Sequence, residues 1–181
     1  MIVTSDDVAD YKSVFNITTS DSDKKIELCL DSAFNTAERL TGLKMKTGAG
    51  FDAMPSKYDA VYIPRCIPVQ AIDYIRINNI TIPAITDWVS QGYYQEGNLI
   101  KFKGYSLFVG DFVEIKYTCG FQEIPSDLLF AIYKLCAFEI SMPKRIGQKQ
   151  VTGISKETTT YQEEIPADIL QTFLRYRVLS L

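Results

Sequence analysis

The side chains that most often carry catalysis are sparse in this chain. None of its 181 residues is histidine, so the side chain that most often supplies acid-base chemistry near neutral pH is missing. The sequence has no G-x-S-x-G nucleophile elbow, no G-x-x-x-x-G-K-S/T phosphate loop and no G-x-G-x-x-G fingerprint after a strand. These features argue against an enzyme, and we expect no catalytic residue.

The cysteines offer little metal chemistry, because no two form a Cys-x-x-Cys pair and no histidine can complete a zinc site. They are Cys29, Cys66, Cys119 and Cys136. We expect all of them to be reduced and mostly buried as small apolar residues. The sequence therefore predicts neither a metal nor a cofactor.

One acidic pattern is regular. Asp23, Glu27 and Asp31 recur at every fourth position, which puts three like charges on one helix face at a cost of roughly a few tenths of a kcal/mol per pair. By itself this acidic stripe is typical of a solvated helix face, whose repulsion Lys24 and Lys25 ease.

Charge is balanced along the chain, which argues against a DNA-reading surface. The 19 Lys and Arg are interspersed with 22 Asp and Glu, for a formal net charge of −3. The nearest approach to a basic patch is Lys144, Arg145 and Lys149 in one predicted loop, which is typical of a solvated connection. No apolar run approaches the roughly 18 residues of a bilayer-spanning helix, and the first residues show no secretory signal.

Two helices are predicted before residue 44. The first starts at Thr4, with Asp7 as the acidic partner of a capping box. The second begins near residues 20–22 and ends at Gly42, a residue typical of the position after a helix. Its buried face follows the helical period and comprises Ile26, Leu30, Ala33, Phe34, Ala37 and Leu40.

Between residues 60 and 120, short β-rich runs replace the helical pattern. Asn78 and Asn79 predict a tight hairpin turn, and a second hairpin turns at Gly97. Regularly spaced turns without an intervening helix indicate an antiparallel meander of about four to six strands. Residues 44–59 lack periodicity and are predicted to form a long exposed loop.

The phrase Ile-Pro-x-Asp occurs twice, at Ile124 and at Ile165, and each copy starts a predicted helix. Proline fits the first turn, and the aspartate faces unpaired amide groups. Between these helices, residues 151–161 are Thr-rich and polar, which predicts an extended edge or arm. Such an arm pairs with a neighbouring chain or remains a mobile surface loop, and both interpretations stay open.

The predicted architecture is α+β, a small helical bundle of about three to four helices with an antiparallel β-meander insertion. It forms a single domain over residues 1–181, with N-terminal helices in 1–43 and the β insertion in 60–120. Residues 124–181 hold the C-terminal helices, with an extended arm at 148–164.

Several short motifs follow one another through residues 60–181. They are Pro68-Val69, Ile72, Ile75, Gly97-x-Leu99, Val113-x-Ile115-x-Tyr117-x-x-Gly120-Phe121, Ile124-Pro125-x-Asp127-Leu128, Ala131-Ile132, Ile165-Pro166 and Tyr176-Arg177. Their order resembles the head-to-tail connector (adaptor, or head-completion) proteins of tailed bacteriophages. The N-terminal helix pair shares the order and type of elements, whereas the longer 44–59 loop departs from the family pattern.

The resemblance implies a structural virion protein that forms an adaptor ring between the capsid portal and the tail and extends the DNA channel. The implied partners are the portal protein, a tail or stopper protein, and further copies of the chain, commonly twelve in a ring. DNA would pass through without specific recognition. The implied location is the virion neck, after synthesis in the bacterial host cytoplasm.

Two sets of residues take on roles under this resemblance. The acidic stripe of Asp23, Glu27 and Asp31 would face the channel, where acids keep passing DNA from adhering. The arm would contact the next subunit or the portal through Val151, Ile154, Lys156, Thr159 and Tyr161.

Two other functions fit the residues. A tail-completion or stopper protein shares the virion role but tends to be a β-barrel, which the long helical patterns disfavour. A non-viral binding module would use an aromatic β face of Trp88, Tyr93 and Tyr94, although aromatic residues in hairpins more often serve cross-strand packing. The assembly state distinguishes an adaptor from a binding module, because an adaptor forms rings and a binding module remains monomeric.

Overall fold

The structure is a computed structural model that describes residues 3–18, 23–55, 61–87, 89–105, 107–141, 150–152, 158–160 and 165–178. The chain divides into two compact units. The helical unit comprises residues 1–42 and 125–181, and the β unit comprises residues 43–124. In sequence, the β unit is therefore an insertion within the helical unit.

The helical unit begins with α1 (Ser5–Val14) and α2 (Asp23–Thr41). Thr4 and Asp7 form the predicted capping box: the Asp7 N–H donates to Thr4 Oγ1 (3.4 Å), and the Thr4 N–H donates to Asp7 Oδ2 (2.6 Å). Gly42 adopts a left-handed φ of 75° just beyond α2, which confirms the predicted helix end.

The remaining helices are α3 (Ser126–Ser141) and α4 (Ala167–Arg175), and each starts one residue after the proline of an Ile-Pro-x-Asp phrase. The two aspartates also tie the helices together. Asp127 accepts a hydrogen bond from the Tyr176 hydroxyl (2.6 Å), and Asp168 accepts one from Lys134 Nζ (2.9 Å). The start of α3 therefore meets the end of α4, and the pair is antiparallel.

Apolar side chains from α2, α3 and α4 form the core of the helical unit. The predicted buried face of α2 is observed, except that Leu40 is only half-buried. Tyr11 of α1 packs its ring edge-on against Tyr133 of α3, with 5.6 Å between ring centroids. The fully buried large side chains of this unit are Ile26, Leu30, Phe34, Leu128, Ile132, Leu135 and Phe173.

The described residues of the β unit form seven strands in two antiparallel sheets. One sheet has the order β1-β7-β3-β4, and the other has the order β2-β6-β5. The strands are β1 (Gly48–Pro55), β2 (Val61–Tyr62), β3 (Val69–Ile77), β4 (Ile80–Ile82), β5 (Gly92–Glu96), β6 (Leu99–Lys103) and β7 (Phe112–Cys119).

The turns of the β unit agree with the sequence. Asn78 and Asn79 adopt left-handed φ values of 49° and 66°, which confirms the tight hairpin between β3 and β4. Gly97 (φ 61°) connects β5 to β6. Gly120 ends β7 with φ 98°, and a Cβ atom there would lie 2.1 Å from the Lys46 carbonyl oxygen. A larger residue would therefore displace the segment before β1.

The described part of residues 44–59, which ends at residue 55, is not the long exposed loop that the lack of periodicity predicted. Residues 48–55 are β1, which pairs along the whole of β7. Two of its inward-facing positions are buried, and they are occupied by Gly50 and Asp52. Glycine and an acid do not produce the apolar alternation by which a strand is recognised. Half of the predicted 44–59 loop is therefore a strand.

The prediction that all four cysteines are reduced is wrong for two of them. Cys66 and Cys119 form a disulfide with Cα atoms 5.8 Å apart, although 53 positions separate them in sequence. Only the folding of the intervening strands brings them together, so their spacing carries no signal. Cys29 and Cys136 are free, and burial raises the pKa of the Cys136 thiol to about 12.

The Thr-rich arm contains a short ribbon of two strands, β8 (Gln150–Thr152) and β9 (Thr158–Thr160). They pair antiparallel, with Val151 opposite Thr159, and form a sheet separate from both sheets of the β unit. The extended backbone agrees with the prediction. The other arm residues, Ile154, Lys156 and Tyr161, lie outside the described residues, as do Lys144, Arg145 and Lys149.

With four helices and an antiparallel β insertion in its described residues, the chain has the predicted α+β class.

Candidate functional site

Among the described residues, the acidic stripe lies on a helix of the helical unit, and Tyr93 and Tyr94 lie on a strand of the β unit. The described part of the chain holds no group of three or more His, Cys, Asp or Glu residues placed to bind a metal ion. None of the helices that the structure describes is long and apolar enough to cross a membrane.

The acidic stripe runs along α2, but its three members have different surroundings. Asp23 accepts a hydrogen bond from Lys12 Nζ (2.7 Å), so α1 compensates the first charge. Asp31 accepts a hydrogen bond from Asn35 Nδ2 (3.1 Å), one turn further along α2. Glu27 is exposed, whereas Asp23 and Asp31 are half-buried. A groove against α1 is lined by Thr4, Ser5, Val8, Asp23, Lys24 and Glu27.

Two of the three residues of the predicted aromatic β face are described, and both have cross-strand partners. Tyr93 and Tyr94 lie on β5 opposite Phe102 and Lys101 of β6, and both tyrosines are half-buried. Burial also raises the pKa of Tyr93. Trp88 lies outside the described residues. The two tyrosines therefore fit the cross-strand packing that the sequence favoured.

A buried polar cluster holds β1 against β7. The Tyr117 hydroxyl donates to Asp52 Oδ2 (3.0 Å) and accepts the Cys66 N–H (3.0 Å). Asp52 Oδ2 also accepts the Arg65 N–H (3.0 Å). Burial raises the pKa of Tyr117 to about 12, so the hydroxyl keeps its proton and remains a donor. Through these bonds and the disulfide at Cys66, β1 is a firmly positioned strand.

The outer edge of β1 is a surface that the sequence reasoning missed. The Asn78 N–H donates to the Phe112 carbonyl (2.8 Å), so even-numbered residues of β7 direct their backbone groups toward β3 and odd-numbered ones toward β1. With Val113 opposite Met54, the even-numbered residues of β1 bond to β7. Pro55, at the end of β1, has the outward orientation but no N–H, so the outward backbone groups that offer both a donor and an acceptor belong to Ala49, Phe51 and Ala53. We call these three residues the β1 free edge.

A second missed surface is an exposed apolar cluster at the turn between β3 and β4. The Asn78 side chain donates to Asp111 Oδ1 (2.8 Å) and accepts the Phe112 N–H (2.8 Å), which joins this turn to the loop before β7. The apolar tip consists of Ile80 (67% exposed), Phe108 (60%), Val109 (77%) and Phe112 (44%). Such a cluster commonly marks a contact with another protein. The run Leu107-Phe108-Val109 beside Gly110 was the available sequence signal.

Comparisons with known proteins agree with this architecture. Residues 4–179 match a family model described as head completion protein. No curated protein matches the chain.

Three solved structures share the fold. A chain from the neck of an empty gene transfer agent (GTA) particle, computed with C6 symmetry, has a TM-score of 0.65 and 17% identity over 96% of this chain and 90% of that chain. A chain from the neck of a native GTA particle, computed with C12 symmetry, has a TM-score of 0.64 and 17% identity, and the match covers 100% of this chain and 96% of that chain. A chain from the virion of a native GTA particle has a TM-score of 0.65 and 15% identity, and the match covers 96% of this chain and 90% of that chain.

The family model spans nearly the whole sequence, and the order of helices and strands is the one that the connector motifs implied. The chain therefore belongs to the head completion protein family, the structural proteins that connect head and tail.

Proposed function

We propose that this chain is a non-catalytic subunit of an adaptor ring in the virion neck, where it joins the capsid portal to the tail and extends the DNA channel. The observation that carries the proposal is the family match over residues 4–179. The fold shared with chains of GTA necks supports it, and the C12 symmetry of one neck is consistent with a ring of twelve copies. The other partners are the portal protein and a tail or stopper protein.

Ring assembly requires surfaces that are apolar or unpaired in the isolated chain. The apolar tip and the β1 free edge are such surfaces in the β unit. The ribbon of β8 and β9, in which Val151 is paired with Thr159, is a third such surface, in the helical unit, because its outer strand edges are unpaired among the described residues. We assign these surfaces to contacts with further subunits, the portal or the tail.

The acidic stripe has a role in this assembly as the lining of the channel. Acids repel the DNA phosphates electrostatically, so passing DNA does not adhere to the wall. Lys12 compensates Asp23, so this acid contributes less to the repulsion than its place in the stripe suggests. DNA passes without sequence recognition, because repulsion by carboxylates does not depend on the bases.

The test is an assembly experiment with purified chain and purified portal rings. Light scattering and negative-stain electron microscopy should show rings of the chain, either alone or stacked coaxially on the portal. The matched control replaces the portal with a ring-shaped protein of similar size from outside phage particles, which should recruit no chain. Monomers that persist and ignore the portal would contradict the adaptor function and favour a binding module.

A further inference from the structure

We propose that the β1 free edge of one copy receives the ribbon of β8 and β9 from a second copy, so that the subunits of the ring are joined by a shared sheet. This inference rests on the proposed function and names the contact that closes the ring. Four observations on the acceptor, the donor, the competing edges and the symmetry carry it.

The acceptor is the edge of β1, which carries one blocking feature, Pro55 at its last position, and is otherwise open within the described residues. Backbone groups of Ala49, Phe51 and Ala53 point outward, and none of the three carries a charge. Phe51 is 58% exposed. Natural proteins protect such edges with charged side chains, proline, bulges or short strands, or cover them with a helix or loop. The register between β1 and β7 has no bulge, so we expect this edge to be covered in the assembled protein.

The donor is a ribbon with no third strand among the described residues. β8 and β9 pair only with each other among the described residues, with three residues in each strand. A two-stranded hairpin is only marginally stable in water, and a third strand makes it considerably more stable. All six residues are uncharged, so no ion has to lose its water when the ribbon joins the uncharged β1 free edge.

The other edges of the β unit are poorer acceptors. β4 has three residues and is followed by Pro83, and only Thr81 directs its backbone groups outward, because Ile80 and Ile82 bond to β3. β2 has two residues. β5 is already engaged by a bridge between Tyr93 and Ala84. The edge of β1 is thus the longest one open to an incoming strand within the described residues.

The symmetry of the contact identifies the occupant as a second copy. Donor and acceptor are different parts of the same chain, and within one chain they belong to separate sheets. A contact between different surfaces of identical chains is heterologous, and it generates a closed ring when the rotation between neighbours closes. A partner protein that supplied the strand would leave the ribbon of every copy without a third strand.

The test removes edge pairing without disturbing the pairing of β1 with β7. Ala53→Pro deletes an outward-facing N–H that β7 does not use, at an edge position where proline is tolerated. Ala53→Ser keeps this N–H and is the matched control. Phe51→Lys places a charge on the same edge, and Thr81→Lys places the same charge on the edge of β4 as its control. Circular dichroism verifies that each variant is folded. If Ala53→Pro does not fold, the Phe51→Lys variant alone decides the test.

We expect Ala53→Pro and Phe51→Lys to reduce ring formation at least about tenfold, while both controls assemble like the original chain. Hydrogen exchange should show additional protection of residues 48–55, 150–152 and 158–160 on assembly. Rings at normal levels in both edge variants, or no additional protection of 48–55, would overturn the shared sheet and leave the adaptor function intact. Failure of the original chain to form rings, even with portal present, would contradict the adaptor function itself and the shared sheet with it.

Discussion

At the scale of single residues, the β unit depends on the pairing of one glycine with one tyrosine. Tyr117 is fully buried and bonds to Asp52 and to the backbone of Cys66. Its ring occupies the space in which Gly50 would carry a side chain. A small residue on one strand therefore permits a large, hydrogen-bonded residue on the next.

We expect Gly50→Ala to destabilise the β unit. The new Cβ would lie 2.5 Å from two atoms of the Tyr117 ring, so the ring must shift and strain its hydrogen bonds to Asp52 and Cys66. Overpacking of this kind costs about 1–3 kcal/mol. The measurement is the free energy of unfolding from urea or thermal denaturation.

The same strand offers a control for this substitution. A Cβ at Gly48 would meet nothing within 4 Å, so Gly48→Ala should change the free energy of unfolding by no more than about 0.5 kcal/mol. Equal stability of the two variants would show that the Tyr117 ring adapts without cost and that its position does not depend on Gly50.

The same residues explain why the sequence did not reveal β1 or the disulfide. Gly50 and Asp52 are inward-facing because they accommodate and bond Tyr117, a partner 65 residues from Asp52 in sequence. Cys66 meets Cys119 for a similar reason, because strand pairing places them at one end of β7. Neither the contact of Asp52 with Tyr117 nor the Cys66–Cys119 disulfide leaves a pattern of neighbouring residues in the sequence. The sequence therefore predicted a loop in place of β1 and four reduced cysteines.

At the scale of elements, the sequence predicted the caps and turns that depend on a few consecutive residues. The capping box at Thr4, the turn at Asn78 and Asn79, and the helix end at Gly42 were all predicted, since each depends on a few consecutive residues. The position of β7 between β1 and β3 was not predictable in this way, because it depends on contacts between distant segments.

The hydrogen bond between Asp127 of α3 and Tyr176 at the end of α4 should make the stability of the protein depend on pH. The Tyr176 hydroxyl, which donates to Asp127, is the main cause that lowers the pKa of Asp127 below its usual value of 3.8. The stabilisation is complete above the pKa of the unfolded state and is lost as the pH falls through the lower folded pKa. We expect Asp127→Asn to lower the melting temperature at pH 7, with a difference that shrinks and disappears in strong acid.

Two further variants test this interpretation. Tyr176→Phe removes the donor and should reproduce the effect of Asp127→Asn together with its pH dependence. Glu123→Gln removes an exposed acid just before α3 and should have little effect at any pH. A melting-temperature difference for Asp127→Asn that is the same at pH 7 and at about pH 2.5 would exclude ionisation of this carboxyl group as the cause.

At the scale of the whole molecule, the sequence was enough to predict the family, but it predicted only some of the surfaces that we assign to assembly. The order of motifs from Pro68 to Arg177 is enough to indicate a connector protein, and the family match confirms it. The apolar tip and the β1 free edge were missed because exposure depends on strand order, which composition does not encode. The acidic stripe was visible in the sequence, but the compensation of Asp23 by Lys12 required the arrangement of α1 and α2.

The role of the acidic stripe can be separated from that of net charge. Replacing Asp23 and Asp31 with Asn and Glu27 with Gln neutralises three acids, so the formal net charge changes from −3 to 0. If the stripe lines the channel, the rings should bind DNA more tightly, by about tenfold or more at low salt, and this gain should fall as salt is raised. The measurements are DNA binding by assembled rings and the retention of DNA in particles that carry the variant.

The control for this variant changes the same number of charges elsewhere. Asp10→Asn, Asp73→Asn and Glu123→Gln alter three exposed acids outside the stripe and give the same net charge. The two variants are compared at about 0.1 M salt, where electrostatic repulsion acts within a Debye length of about 10 Å, so that only charges facing the channel affect DNA inside it. Tighter DNA binding by both variants would assign the effect to net charge, and unchanged binding by both would remove the stripe from the channel.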